Sequence, residues 1–131
     1  MTSPTQRSLK LARDSGWTAQ IVEKYNSYAK KRIDLFDCID IVILTGFSIL
    51  GVQTTSSSNV PARSTKALES PKLKLWLKSG GRFEIWGWGK SGPRGKRKLW
   101  TLISQAFELI GDDIVITSTS PKLATSYEAI D

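Results

Sequence analysis

Residues 34–59, DLFDCIDIVILTGFSILGVQTTSSSN, contain the pattern that decides the fold. Two short apolar segments, residues 39–44 and 48–54, flank a Thr-Gly turn. Runs of Ile, Val and Leu bounded by Gly and polar residues are typical of buried strands. The segment therefore predicts a hairpin of two buried strands, with Asp40 at the start of the first strand and Gln53 near the end of the second.

Polar side chains at the facing ends of this hairpin predict a cation site. Asp37 and Asp40 lie at the entrance of the first strand, and Gln53 with a run of hydroxyl residues ends the second. Divalent cations such as Mg²⁺ prefer oxygen ligands. A carboxylate is out of place in an apolar strand unless it has a partner. We therefore expect Asp40 to be a metal ligand in a notch shared with Gln53; the alternative is an aspartate that only caps a turn.

The composition limits the chemistry that this chain can perform. Its 131 residues predict one domain with a substantial core. There is no histidine, which excludes Ser-His-Asp and Cys-His catalysis and a histidine general base. The single cysteine, Cys38, cannot form an internal disulfide and is expected to be buried among apolar neighbours. Hydrolysis would depend on carboxylates, amides, hydroxyls, lysines and a hard metal ion.

The ends and the hydropathy of the chain predict a cytoplasmic protein with no membrane partner. No apolar run is long enough to cross a bilayer. The first ten residues, MTSPTQRSLK, lack the apolar middle of a signal peptide.

The positive charge indicates a nucleic-acid partner. The net charge is +7, and an excess of positive charge attracts polyanions. One cluster is Lys30, Lys31 and Arg32. The other lies in the basic loop, residues 90–98, and comprises Arg94, Lys96, Arg97 and Lys98. We expect both clusters to contact phosphates; a solvated surface is the alternative. The neighbouring tryptophans could stack on unpaired bases, although a place in the core is the stronger expectation for them.

The order of predicted elements indicates an α/β fold with a central mixed β-sheet flanked by helices. Residues 1–110 would form the main domain, and residues 111–131 a C-terminal edge strand and a weakly ordered tail. Helices are predicted at 4–15, 59–70 and 73–78; strands at 17–24, 39–44, 48–54, 82–88 and 114–117; an irregular connection at 25–33; and either one strand or a strand and a short helix at 99–110.

This arrangement resembles the PD-(D/E)xK nuclease superfamily, and the short chain is most similar to archaeal-type Holliday junction resolvases and their phage relatives. The matching segments are Ile39-Asp40-Ile41-Val42-Ile43 and Leu50-Gly51-Val52-Gln53-Thr54-Thr55, within a resemblance that covers roughly residues 4–100. The resemblance implies a restriction-endonuclease-like sheet, cleavage of DNA that depends on Mg²⁺ or Mn²⁺, and a homodimer. If the chain is phage-encoded, it would act in the host cytoplasm.

The chain departs from the family motif at two positions that matter for chemistry. Gln53 stands where the family has an acidic residue, and Thr55 where it has a lysine. Glu23 could restore the missing charge; Asp34 is another acidic candidate, or an ion-pair partner of Arg32. The resemblance then implies that the metal ligands are Asp40, Gln53, Glu23 and the carbonyl of Thr54. It also implies that Lys66 or Arg63, on the next helix, contacts the scissile phosphate.

The leading functional hypothesis is a metal-dependent DNA endonuclease that acts on branched DNA. A second hypothesis is a nuclease fold that binds DNA without cleaving it, which the residues at positions 53 and 55 would favour. A third, from a different class, is a structural or RNA-binding protein.

Overall fold

The computed structural model describes residues 3–91 and 99–123, with the backbone alone for residues 120–123. It contains three helices: α1 (Pro4–Asp14), α2 (Val60–Leu68), which follows a short 3-10 turn, and α3 (Pro71–Lys78). Its strands are β1 (Thr18–Ile21), β2 (Lys24–Asn26), β3 (Lys31–Ile33), β4 (Ile41–Leu44), β5 (Ile49–Ser56), β6 (Arg82–Ser91), β7 (Leu99–Ile110) and β8 (Asp113–Leu123).

Six of the strands form one mixed sheet, which confirms the predicted fold class. The strand order is β1-β4-β5-β6-β7-β8, with β5 and β6 parallel and the other neighbours antiparallel. The chain crosses from β5 to its parallel partner through α2 and α3. The polar ends of β4 and β5, where the cation site was expected, therefore lie near the middle of the sheet order.

Helices cover both faces of this sheet. Leu9 and Ala12 of α1 pack in one core cluster with Ile41, Ile43 and Val52. On the opposite face, the second cluster combines helix and sheet residues: Val60, Ala67, Leu73, Phe83, Ile85 and Phe107. The alternation along β5 sends even-numbered side chains to α1 and odd-numbered ones to α2 and α3. This alternation decides which polar side chains meet.

Side-chain caps stabilise the starts of α1 and α3. The Ser3 hydroxyl accepts a hydrogen bond of 3.2 Å from the backbone N–H of Gln6, and Pro4 occupies the first turn of α1. Ser70 caps α3 in the same way, accepting from the N–H of Leu73. Such caps satisfy N–H groups that have no partner within the helix.

Two parts of the predicted element pattern were wrong or incomplete. Residues 25–33 are not an irregular connection: β2 and β3 form a separate two-stranded antiparallel hairpin. Residues 99–110 form one continuous strand, and the expected short strand at 114–117 extends over 113–123 because it pairs along β7. The predicted weakly ordered tail falls mostly on residues 124–131, outside the described residues.

Candidate metal centre and adjoining cavity

Three carboxylates from separate segments meet at the entrance of β4. One carboxylate oxygen from each of Glu23, Asp34 and Asp40 lies within 4.8 Å of the other two. We call these residues the carboxylate cluster. Glu23 comes soon after β1, Asp34 directly after β3 and Asp40 directly before β4. Three carboxylates this close are able to hold a metal ion, since a divalent cation offsets their mutual repulsion and takes oxygen ligands.

The backbone holds Asp40 between two strands. Its carbonyl accepts a 2.8 Å hydrogen bond from the N–H of Val22, and its own N–H donates to the carbonyl of Val52 at 2.9 Å. Ile41 also pairs with Val52 in the register of β4 and β5. Asp40 and Ile41 therefore both lie opposite Val52, as two consecutive residues do in a β-bulge. Bulges re-aim side chains, and here Oδ2 of Asp40 accepts from the N–H of Thr54 at 2.8 Å. This hydrogen bond fixes the Asp40 side chain against the backbone of β5.

Burial dominates the protonation of Asp40. The residue is only 5% exposed, and burial raises its pKa to about 8. A hydrogen bond with the Asp34 side chain and the negative charges of Asp34 and Glu23 act in the same direction, whereas the Thr54 N–H lowers the pKa. Without a cation, this carboxyl therefore carries a proton near neutral pH, and a bound divalent cation would replace that proton.

The ion pair of Arg32 involves Glu23. Nη1 of Arg32 lies 3.3 Å from Oε1 of Glu23. The alternative that Arg32 pairs with Asp34 is therefore wrong, because the Asp34 carboxyl interacts with Asp40 instead. Arg32 is exposed and Glu23 largely covered, so Arg32 shields the outer side of the carboxylate cluster.

Gln53 lies in a second, neighbouring feature. It is 5% exposed and lines a cavity of about 290 Å³ together with Arg63 and Lys66 of α2, which we call the Gln53 cavity. Its side-chain amide makes no hydrogen bond to any described residue. Asp40 does not line this cavity, although Asp37, shortly before it in the chain, does.

The expected single notch is therefore divided in two, for a reason that lies in the strand geometry. Thr54 points toward α1, where its hydroxyl lies 2.8 Å from that of Thr5, so alternation turns Gln53 toward α2. The bulge at Asp40 interrupts the same alternation on β4. Asp40 and Glu23 consequently meet in the carboxylate cluster, while Gln53 meets the two cations of α2.

The backbone of Thr54 connects the two features. The N–H and C=O of one strand residue lie on the same edge of the strand, and the Thr54 N–H points to Asp40. The Thr54 carbonyl therefore faces β4 as well. Thr55, which stands at the lysine position of the motif that the sequence resembles, is buried at 6% exposure and supplies no cation.

Cys38 is buried at 4% exposure, as expected, and is not a reactive thiol. Burial raises its pKa to about 12, with further contributions from the negative charges of Asp34, Asp37 and Asp40. A thiol with so high a pKa is a weak nucleophile at neutral pH.

The expected nucleic-acid contacts are described only in part. Lys30, Lys31 and Arg32 lie at the surface, on the turn before β3 and on β3 itself. The other cluster, Arg94, Lys96, Arg97 and Lys98, lies outside the described residues. Trp86 and Trp88 are each 2% exposed, so these two tryptophans belong to the core rather than to a stacking surface.

Sequence reasoning named Asp34 as an acidic candidate but did not place it among the metal ligands. Asp34 follows the polar strand β3, and nothing in its spacing from Asp40 distinguishes it from an exposed loop aspartate. Only the return of the β2–β3 hairpin to the start of β4 places it within reach of the other two carboxylates.

Comparison with known proteins finds no matching family model, no matching curated protein and no matching solved structure. The fold and the site define a broad class: an α/β protein with a mixed six-stranded sheet and three carboxylates, one of them buried, that lie close enough together to bind a metal. No helix in the described part of the chain is long and apolar enough to span a bilayer.

Proposed function

We propose that this protein is a metal-dependent DNA endonuclease of the PD-(D/E)xK type that acts on branched DNA. The observation that carries the proposal is the meeting of Glu23, Asp34 and Asp40 within 4.8 Å, at the entrance of a central strand. Ionising the buried Asp40 carboxyl costs free energy, because burial raises its pKa, and a bound divalent cation would offset that cost. The Gln53 cavity, whose buried glutamine makes no side-chain hydrogen bond to a described residue, lies next to it.

The metal ligands in this proposal are the carboxylate cluster and the Thr54 carbonyl. All are oxygen donors, which fits Mg²⁺ or Mn²⁺. Such a cation supplies activation of water and neutralisation of charge on the phosphate. Asp40 gives up its proton on binding, and Arg32 orients Glu23 through their ion pair.

Arg63 and Lys66 take the part of the missing lysine. They lie three residues apart on α2, so they project from one side of the helix, and both line the Gln53 cavity. A phosphate there would meet two cations and a neutral amide that can donate a hydrogen bond. Gln53 in this proposal positions the phosphate and does not replace a carboxylate at the metal.

The remaining parts of the proposal concern the partners. Duplex arms would lie along the surface cluster at Lys30 and Lys31 and along the basic loop. A homodimer would present two such sites to the two strands of a junction. A cytoplasmic location suits a chain with one buried free thiol and no disulfide among its described residues.

The test is cleavage of a labelled four-way junction in the presence of Mg²⁺ or Mn²⁺. We expect wild-type protein to nick it and Asp40→Asn to lower the rate at least about a hundredfold, since the cation stabilises several kcal/mol of transition-state charge. Asp14→Asn, which changes an exposed carboxylate of α1, is the matched control. Equal rates for wild type and Asp40→Asn would contradict the proposal.

The second candidate is a protein of the same fold that binds DNA without cutting it. Thr55 favours it, because a buried threonine at this position offers no amine to the reaction. Its signature would be tight binding of the four-way junction with no cleavage in Mg²⁺ or Mn²⁺. Asp40→Asn would leave this binding unchanged.

A further inference from the structure

A second cavity lies beside the carboxylate cluster. Its volume is about 630 Å³, within the range of small-molecule sites. The β2–β3 hairpin forms one wall and the turn at residues 34–37 the other. Asp34 lines this cavity and also belongs to the carboxylate cluster. A molecule bound here would therefore reach the proposed metal ligands.

The aromatic side chains in this cavity are much more exposed than side chains that pack in the core. Tyr25 is 64% exposed and Phe36 45% exposed, and Ile33 adds further apolar surface at 39%. Contiguous exposed apolar surface marks a binding site more often than scattered single residues do. Tyr25 therefore offers a ring face to a ligand rather than to the protein.

The turn that carries Phe36 is strained. Phe36 and Asp37 have φ values of 53° and 64°, in a left-handed region that is unfavourable for residues other than glycine. The Phe36 ring is held against Trp76, with the centroids 6.0 Å apart. Strain of this kind concentrates at binding sites, and here it keeps an aromatic side chain at the cavity wall.

The charges of the cavity leave one cation for an anionic ligand. Lys72 is paired with Asp37 at 3.0 Å, and Asp34 interacts with Asp40. Lys24 makes no ion pair with any described residue. The cavity thus combines a flat aromatic face, an ammonium group that has no ion pair among the described residues, and a carboxylate of the carboxylate cluster.

We infer that this cavity binds one unpaired nucleotide of the substrate, with its base stacked on Tyr25 and its phosphate at Lys24. The inference rests on the proposed nuclease function and extends it to the class of DNA. Unpaired bases expose ring faces that a continuous duplex hides, and stacking on aromatic side chains tolerates any base. The enzyme would therefore favour junctions, flaps and single-stranded tails over an uninterrupted duplex.

The test measures binding in EDTA, so that cleavage plays no part. The probes are a blunt duplex and the same duplex with a short single-stranded tail that carries 2-aminopurine, whose fluorescence falls on stacking. We expect wild type to prefer the tailed duplex and to quench the probe. Tyr25→Ala should weaken binding of the tail about tenfold or more and lose the quenching, whereas Tyr25→Phe should keep both.

Phe47→Ala is the matched control, because Phe47 is 99% exposed at the opposite end of β4 and β5. Tails made of deoxyribonucleotides and of ribonucleotides distinguish DNA from RNA as the source of the unpaired nucleotide. Binding that depends on Tyr25 with either tail supports the subsite. The inference would be overturned if Tyr25→Ala bound the tailed duplex and quenched the probe as wild type does. It would also be overturned if Tyr25→Ala lost as much affinity for the blunt duplex as for the tailed one.

Failure of the proposed function gives a different result. If the protein never cleaves DNA, the preference for the tailed duplex that depends on Tyr25 persists, and Asp40→Asn retains it in EDTA. If cleavage depends on Asp40 but Tyr25→Ala leaves tail binding unchanged, only the subsite is rejected.

Discussion

The backbone N–H of Thr54 donates a 2.8 Å hydrogen bond to Oδ2 of Asp40 across fourteen positions of sequence. This hydrogen bond joins the entrance of β4 to the far part of β5 and holds the Asp40 side chain there. It also places the Asp40 carboxyl next to the backbone that follows Gln53. The carboxylate cluster and the Gln53 cavity are therefore neighbours, although different side chains form them.

The stability of the metal-free protein should fall as pH rises, because of Asp40. Its pKa of about 8 in the folded protein exceeds the ordinary value of 3.8, so the folded state binds this proton more tightly than the unfolded chain. That contribution is complete below about pH 4 and is lost as pH rises toward 8. Asp40→Asn removes the penalty, worth about 1.4 kcal/mol for each pH unit in this window.

Urea denaturation in EDTA at pH 5 and pH 8 measures this effect. The gain in unfolding free energy of Asp40→Asn over wild type should be larger at pH 8, by up to several kcal/mol. Asp14→Asn should change stability little at either pH, since its ion pair with Lys10 is exposed. The same gain at both pH values would show that Asp40 does not hold its proton in the fold.

Divalent cations should bind more tightly as pH rises from 6 to 8. A cation must displace the proton of Asp40, so affinity should rise by as much as about tenfold for each pH unit below its pKa. Calorimetry in two buffers of different ionisation enthalpy counts the released proton. Glu23→Gln and Asp34→Asn should each weaken binding; affinity that is independent of pH, or unaffected by both changes, would argue against this site.

Replacing Arg63 or Lys66 should slow DNA cleavage without changing the affinity for the metal. Replacing either by Met removes a cation from the Gln53 cavity, and we expect kcat to fall about a hundredfold, as for loss of a group that stabilises developing charge. Metal affinity should stay within about twofold of wild type. Lys78→Met, at the exposed end of α3, is the control, and an equal loss there would point to general electrostatics.

The basic loop should determine the salt dependence of DNA binding. Neutralising Arg94, Lys96, Arg97 and Lys98 should reduce the slope of log affinity against log salt by about 0.9 for each phosphate that the loop no longer neutralises. Affinity measured over a series of salt concentrations tests this, with far-UV circular dichroism as the check on folding. An unchanged slope would remove the loop from the interface.

Local patterns predicted most of the fold. The apolar runs at residues 39–44 and 48–54 correctly indicated β4 and β5, because burial on both faces leaves a continuous apolar signal. The β2–β3 hairpin was missed, since nearly all of its residues are exposed and so show no alternation. Its turn depends on Asn26, whose side-chain oxygen accepts from the N–H groups of Tyr28 and Ala29.

The sequence by itself determined most of the strands and helices, the exclusion of histidine chemistry, the burial of Cys38, and Asp40 as the residue to examine first. Only the tertiary structure decided which carboxylates meet, because Glu23, Asp34 and Asp40 come from separate segments. It also decided that Gln53 joins Arg63 and Lys66. The physical reason is that a shift of one residue in a strand moves a side chain to the other face, and no local pattern encodes that shift.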